Sequence, residues 1–166
     1  MIFGSSYKDA NLASLTISDS PMEFVQEWRY LGVTLTSGKR IGFSARPDIT
    51  NFYRASNSVL AALKGAHEHV ALTLVYSNCV PILTYACAVK QYSNSDMSDC
   101  NVAINNACRR IFGFKQWQSI RVLREIFDFK SLYVIFKESQ DRFLANCKSH
   151  ANPIINFFAN LNVLLD

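Results

Sequence analysis

Ile49-Thr50-Asn51-Phe52-Tyr53-Arg54-Ala55-Ser56-Asn57-Ser58-Val59-Leu60-Ala61-Ala62-Leu63 is the stretch on which the fold turns. Ile49, Phe52, Tyr53, Ser56, Val59, Leu60 and Leu63 recur at i, i+3 and i+4. That spacing gathers them on one side of a helix and would scatter them over both faces of a strand. Pro47 stands at the start, where its missing N–H costs nothing, and Gly65 just past the end, where a left-handed residue closes a helix. The pattern predicts a helix over 46–64.

Upstream of it the period is two. Leu12 to Ser18 alternates, with Leu15 and Ile17 on one face and Ser14, Thr16 and Ser18 on the other. Asp19-Ser20-Pro21 reads as a turn. Phe24-Val25 and then Trp28-Arg29-Tyr30-Leu31-Gly32-Val33-Thr34-Leu35 read as a second, longer strand rich in β formers, and Met1-Ile2-Phe3 as a stub. Thr36 to Gly42 is a polar, Gly-flanked connector. The chain therefore divides into a β part, about 1–36, and a helical part, 45–166, with a weaker boundary at Tyr92-Ser93-Asn94. A strand pair is marginal alone and needs a second layer.

Downstream the helical period persists. Helices are expected at 68–79 and, beyond Pro81, at 82–89. Asn94-Ser95-Asp96 offers an N-cap to a helix whose stripe is Met97, Cys100, Ile104, Ala107, Cys108 and Ile111 and which stops at Gly113. Ser119 precedes a helix near 120–127. Ser131 caps another, with Leu132, Ile135, Phe136, Phe143 and Leu144 inward. Asn152-Pro153 opens the last, with Ile154, Phe157, Phe158, Leu161 and Leu165 inward. The fold class expected is α+β, mostly α: short antiparallel strands at the N-terminus followed by an irregular bundle of about six to seven helices.

Composition bounds the setting. Hydrophobic residues make up 49% of the chain and aromatic ones 13%, enough for a core. Charged residues make up only 18%, below the usual quarter or so, which points to apolar surface covered by a partner or by further sequence. The N-terminus lacks a signal peptide's basic region and apolar run. The most apolar stretch, Val70 to Val89, is interrupted by Ser77, Asn78, Pro81 and Thr84, so no membrane span is expected. Cys79, Cys87, Cys100, Cys108 and Cys147 are odd in number and lack CxxC spacing. Three of them, Cys79, Cys100 and Cys108, fall at apolar helical positions, as buried thiols of a reduced, intracellular compartment (nuclear or cytoplasmic) would. The net charge of +4 is concentrated between Arg109 and Lys130. That window has six basic residues (Arg109, Arg110, Lys115, Arg121, Arg124 and Lys130) and two acidic ones, Glu125 and Asp128. The remainder is neutral. A localised basic patch suits a phosphate backbone partner; it also suits a solvated helix face.

No catalytic residues emerge. Two-metal phosphoryl transfer needs converging carboxylates about 4 Å apart, and no adjacent Asp pair exists. Asp96 and Asp99 sit at a helix start, where carboxylates complement the dipole. His67-Glu68-His69 does not share one helix face, and no further ligand follows at zinc-like spacing, so no metal ligands are assigned. No nucleophile elbow and no Gly-rich phosphate loop occur, and no small-molecule substrate is indicated.

Two segments carry functional signals. In Trp28 to Val33, Gly32 within a strand pattern marks a bulge or a close backbone approach, and Arg29 and Tyr30 beside it suit a nucleic-acid strand. Tyr30 and Leu31 equally suit cover for hydrophobic surface. In Arg109-Arg110-Ile111-Phe112-Gly113-Phe114-Lys115-Gln116-Trp117 basic and aromatic residues interleave at a helix end, as in grooves that track a backbone and stack bases. Equally, Ile111, Phe112 and Phe114 suit a core, with the arginines as solvated cations at the dipole's negative end.

Taken in order, several segments resemble the region just after the polymerase palm in reverse transcriptases of non-LTR (LINE-type) retrotransposons. Met1-Ile2-Phe3-Gly4 looks like the strand after the family's N-x-x-K-[ST] element. Trp28 to Leu35 looks like its YLG strand, and Ile49 to Leu63 like the helix that follows. Leu74-Val75-Tyr76 through Val80-Pro81-Ile82-Leu83-Thr84-Tyr85 is similar to its LY…P.L.Y segment. Asn106-Ala107-Cys108-Arg109-Arg110-Ile111-Phe112-Gly113 resembles its R.I.G helix end. Ala86 and Lys90 stand where the family usually has Gly and Trp. The match runs over about 115 residues, a span set by the order of motifs rather than by any one of them.

The resemblance implies the end of a palm (1–36) and a helical thumb (45–166) that holds an RNA/DNA template–primer duplex. Tyr30, Leu31 and Gly32 would lie near the primer-supporting hairpin. The helix 46–64 would belong to the thumb, with Arg54 or Lys64 meeting phosphates. Arg29, Arg109, Arg110, Lys115, Arg121 and Arg124 complete the expected nucleic-acid-binding set. The family's paired aspartates, and the magnesium they hold, would belong to an upstream polymerase region missing from this chain, which should carry no cofactor and not polymerise alone. A helical protein-interaction module without a nucleic-acid role, or a fragment with no function, are the competing expectations.

Overall fold

The computed structural model describes residues 1–4 and 15–161. Its N-terminal part is shaped by two pairs of adjacent residues with positive φ. Ser18 (49°) and Asp19 (62°) join β1 (Leu15–Ile17) to β2 (Ser20–Met22). Leu31 (46°) and Gly32 (78°) join β3 (Glu27–Tyr30) to β4 (Val33–Thr36). Two successive left-handed residues make the tight turn whose twist matches that of an antiparallel pair.

Two expectations are thereby corrected. The first turn is Ser18-Asp19, and Pro21 lies inside β2, an edge strand that tolerates it. Trp28 to Leu35 is a hairpin rather than one strand: Trp28 faces Leu35 and Tyr30 faces Val33. The connector also supplies β5 (Gly42–Phe43), giving a sheet of order β3-β4-β5, so the β part reaches past residue 36. Phe3 bridges to Gly38, and the Gly4 N–H donates to the Gly38 carbonyl at 3.1 Å. Residues 12–14 of the expected first strand lie outside the described residues.

The helical part follows the predicted period closely. In α1 (Arg46–Ala62), Pro47 and Asp48 occupy the first turn, and Phe52 and Ser56 are buried. Next come α2 (Glu68–Asn78) and α3 (Val80–Thr84). Pro81 opens α3 instead of kinking a helix. The element ends at Thr84, because Tyr85 is extended and Ala86 turns left-handed (φ 54°), so the helix expected over 82–89 begins two residues earlier and stops five residues short. In α4 (Asn94–Ile111) the cap is Ser93, not Asn94. Its hydroxyl accepts from the Asp96 N–H at 3.1 Å and bonds the Asp96 carboxylate at 2.6 Å. Gly113 (φ 66°) lies just beyond the end, and the Phe114 N–H caps the Arg109 carbonyl at 2.8 Å. Then follow α5 (Arg121–Ile126), α6 (Leu132–Lys148), capped by Ser131, and α7 (Pro153–Leu161).

The architecture is mostly helical, seven helices among the described residues, with short antiparallel N-terminal strands in two small sheets. The centre is α4, which packs against α1, α2 and α6. Cys100, Ala103, Ala107 and Cys108 keep its inner face small, so large residues of its neighbours (Phe52, Leu72, Val75 and Leu132) can fill the core. At the periphery the inward assignments fail. Ile154, Phe157, Phe158 and Phe143 are exposed; in α7 Ala159 is buried. The period put the inward stripe of α7 on Ile154, Phe157 and Phe158, but α7 packs on α6 with Ala159 buried and leaves those three exposed. Leu165 lies outside the described residues. Among the described residues no helix is long and apolar enough to cross a membrane.

Candidate nucleic-acid interface

The outer face of the second half of α4 is built from asparagine and arginine. Asn106 donates from Nδ2 to the Tyr53 hydroxyl of α1 at 3.2 Å and accepts at Oδ1 from Arg109 at 3.0 Å. Arg109 donates from Nε to the Gln118 carbonyl at 3.0 Å, fastening the loop after α4. Arg110 donates to Asn57 Oδ1 of α1. From α5, Arg124 donates to Asn105 Oδ1 at 2.7 Å. Three guanidiniums are thus held in place by neutral oxygens. Amides fix their direction without cancelling their charge, so each keeps N–H groups and a full positive charge for an anion.

The other cations of the window differ. Arg121 pairs with Glu125 at 3.1 Å, one helical turn on, with both side chains exposed. Lys130 pairs with Glu138 at 2.9 Å. Lys115 lies with its Nζ 5.2 Å from the centre of the Trp117 ring. Arg54 is exposed one turn before Asn57, the residue that holds Arg110. Lys64, also exposed, follows α1 beside a cavity of about 240 Å³ lined by Leu60, Gly65, Glu68 and Arg110.

Arg29, Tyr30 and Gly32 form a separate group on the β3–β4 hairpin. Its tip rests on the Tyr85 ring: the Tyr85 hydroxyl donates to the Leu31 carbonyl at 3.1 Å, and a Cβ on Gly32 would meet Tyr85 Cε1 at 3.1 Å. The close backbone approach signalled by Gly32 is present, and its neighbour is a tyrosine. Arg29 and Tyr30 project into solvent.

A buried ionic centre escaped the sequence reading. Lys90, 1% exposed, donates from Nζ to Asp48 Oδ2 at 2.6 Å and to the Tyr92 hydroxyl at 3.2 Å, and Tyr92 donates to the same carboxylate oxygen at 2.6 Å. Gln140 of α6 donates to the Lys90 carbonyl at 3.1 Å. The start of α1, the segment before α4 and α6 are joined here. The available signal was a lysine following the apolar run Cys87-Ala88-Val89. The carboxylate of Asp48 and burial push the Tyr92 hydroxyl's pKa upward, burial being the larger cause. Burial, reinforced by the carboxylates of Asp48, Asp96 and Asp99, pushes the Cys100 thiol up to about 12. Cys79 and Cys108 are also raised, mainly by burial.

Asp96 and Asp99 line a cavity of about 460 Å³ with Glu27, Ser44, Arg46 and Thr50. Among the described residues no three His, Cys, Asp or Glu side chains come together as a metal site. His67 instead caps α2, its ring nitrogen accepting from the His69 N–H at 3.2 Å. Comparison with protein-family models, curated proteins and solved structures returns no match.

Proposed function

We propose that this chain is a thumb-type segment of a retrotransposon reverse transcriptase, gripping a template–primer duplex through its phosphates while the chemistry is done by a palm outside this chain. The observation that carries the proposal is the mounting of Arg109, Arg110 and Arg124 on Asn106, Asn57 and Asn105, with none of the three in an ion pair among the described residues. Phosphate contacts position a protein on a duplex without reading its sequence, and oriented guanidiniums suit them. Two positions depart from the family's pattern. Ala86 has φ 54°, a conformation glycine adopts freely, where the family has Gly. Lys90 is buried where the family has the large, usually buried Trp.

Binding to an RNA/DNA hybrid should weaken steeply with salt and vary little with sequence, read by fluorescence anisotropy of a labelled hybrid. Replacing Arg109, Arg110 and Arg124 together with glutamine should flatten the log–log salt slope by about 2 to 3. Arg121→Gln should do less, since Glu125 already answers that charge. Affinity indifferent to ionic strength would sink the proposal. The exposed Phe157 and Phe158, 61% and 60% accessible, favour the second reading, a protein-interaction module. Retention of a specific protein partner with none on the hybrid would select it.

A further inference from the structure

Trp117 is 79% exposed, the highest value among the large apolar side chains of the described residues. A single exposed aromatic needs no explanation in itself, but the mounting of this one is specific. Residues 115–118 form a closed turn. The Gln118 N–H donates to the Lys115 carbonyl at 3.0 Å, and the Lys115 N–H donates to Gln118 Oε1 at 2.6 Å. The turn is tied to α4 because Gln118's own carbonyl accepts from Arg109. Trp117 therefore stands on a pinned loop, with the Lys115 ammonium over one face of its ring and, at that exposure, the other face open to solvent. From Cys100 to Arg124 the chain has five basic residues and no acidic one, so the surroundings favour an anionic strand. An indole face with fixed cations beside it matches the two requirements of single-strand binding, stacking and backbone neutralisation.

We propose that Trp117 is a stacking platform for an unpaired nucleobase, on a strand whose phosphates pass Lys115 and Arg109. Resting on the duplex reading above, this assigns to the loop after α4 the single strand where it leaves the duplex. The test uses the full chain carrying Trp28→Phe, which leaves Trp117 as the one indole. Three probes are compared: a blunt RNA/DNA hybrid, the same hybrid with a short single-stranded overhang, and that overhang made abasic. The base-bearing overhang should quench Trp117 emission and bind about 10-fold tighter than the other two, in line with the usual worth of one stacked base. Trp117→Ala should erase that advantage and leave blunt-hybrid affinity unchanged, and Trp117→Phe should restore part of it. Equal affinity for base-bearing and abasic overhangs, or an advantage surviving Trp117→Ala, overturns the assignment. Failure of every hybrid to bind would sink the duplex grip instead. The free single strand then decides for Trp117, equal affinity with and without bases overturning it.

Discussion

Lys90 shows how much can rest on one residue. Its ammonium is out of water and faces one carboxylate and one hydroxyl, so the charge is tolerable only while Asp48 stays opposite. Lys90→Met should destabilise the chain by about 3 kcal/mol, as removing one partner of a buried pair does. Adding Asp48→Asn should recover part of that, because an amide still accepts from Tyr92 without being a lone buried charge. Urea midpoints of both variants check this, and an unchanged midpoint for Lys90→Met would refute it. The buried thiols give a second expectation. Unfolded, Cys100 releases its proton near its ordinary value of 9.0; folded, it does so only at about 12. The folded state holds the proton longer, so the stability it contributes is complete below pH 9 and is lost as pH rises toward 12. Cys79 and Cys108 act in the same direction. Under reducing conditions the urea midpoint should be level to about pH 8 and fall steadily above 9. Cys100→Ala should make that fall shallower.

Among the elements, the β3–β4 hairpin separates what periodicity reveals from what it conceals. A two-residue turn shifts the alternation by one place, so that Trp28 and Tyr30 share a face with Leu35 and Val33, but the run of β formers hides that slip, and Leu31 is a poor residue to signal a reversal. It is 74% exposed and left-handed, a conformation costing a non-glycine residue about 1 kcal/mol. Leu31→Asn should therefore raise stability by a few tenths to about 1 kcal/mol. Gly32→Ala should lower it by more, since it adds backbone strain and a 3.1 Å contact with Tyr85. Thermal unfolding of the two variants measures both signs; a stabilised Gly32→Ala would show that the tip does not rest on Tyr85. The long helices were legible because burial selects one face at a fixed period: α1 and α4 match their stripes closely. The ends were less legible. Ser93 rather than Asn94 caps α4, and α3 stops at Thr84, because caps and left-handed residues depend on backbone angles that hydropathy does not encode.

Across the whole molecule, legibility fell with sequence separation. The basic window was visible as composition, but its division was not. Arg121 and Arg124 are three residues apart, yet one is answered by a local carboxylate and the other is held by Asn105 of α4, 19 residues away in sequence. The same distinction between local and distant contacts predicts how the chain opens. The core joins α1, α2, α3 and α4 to Ile120 and Leu132, whereas β3 is exposed along its length and the hairpin tip is tied to the body through Tyr85. Elements with few buried apolar contacts open at free energies well below that of global unfolding. Under native conditions, amide hydrogen exchange should show β1, β2 and β3 exchanging through local openings whose rates ignore sub-denaturing urea. The inner turns of α1, α2 and α4 should exchange only with global unfolding and follow the denaturant. That two-tier pattern requires a cooperative helical core, which a functionless, unpacked fragment lacks. Uniformly fast exchange in α4 would remove the rigid frame on which Asn57, Asn105 and Asn106 hold their arginines.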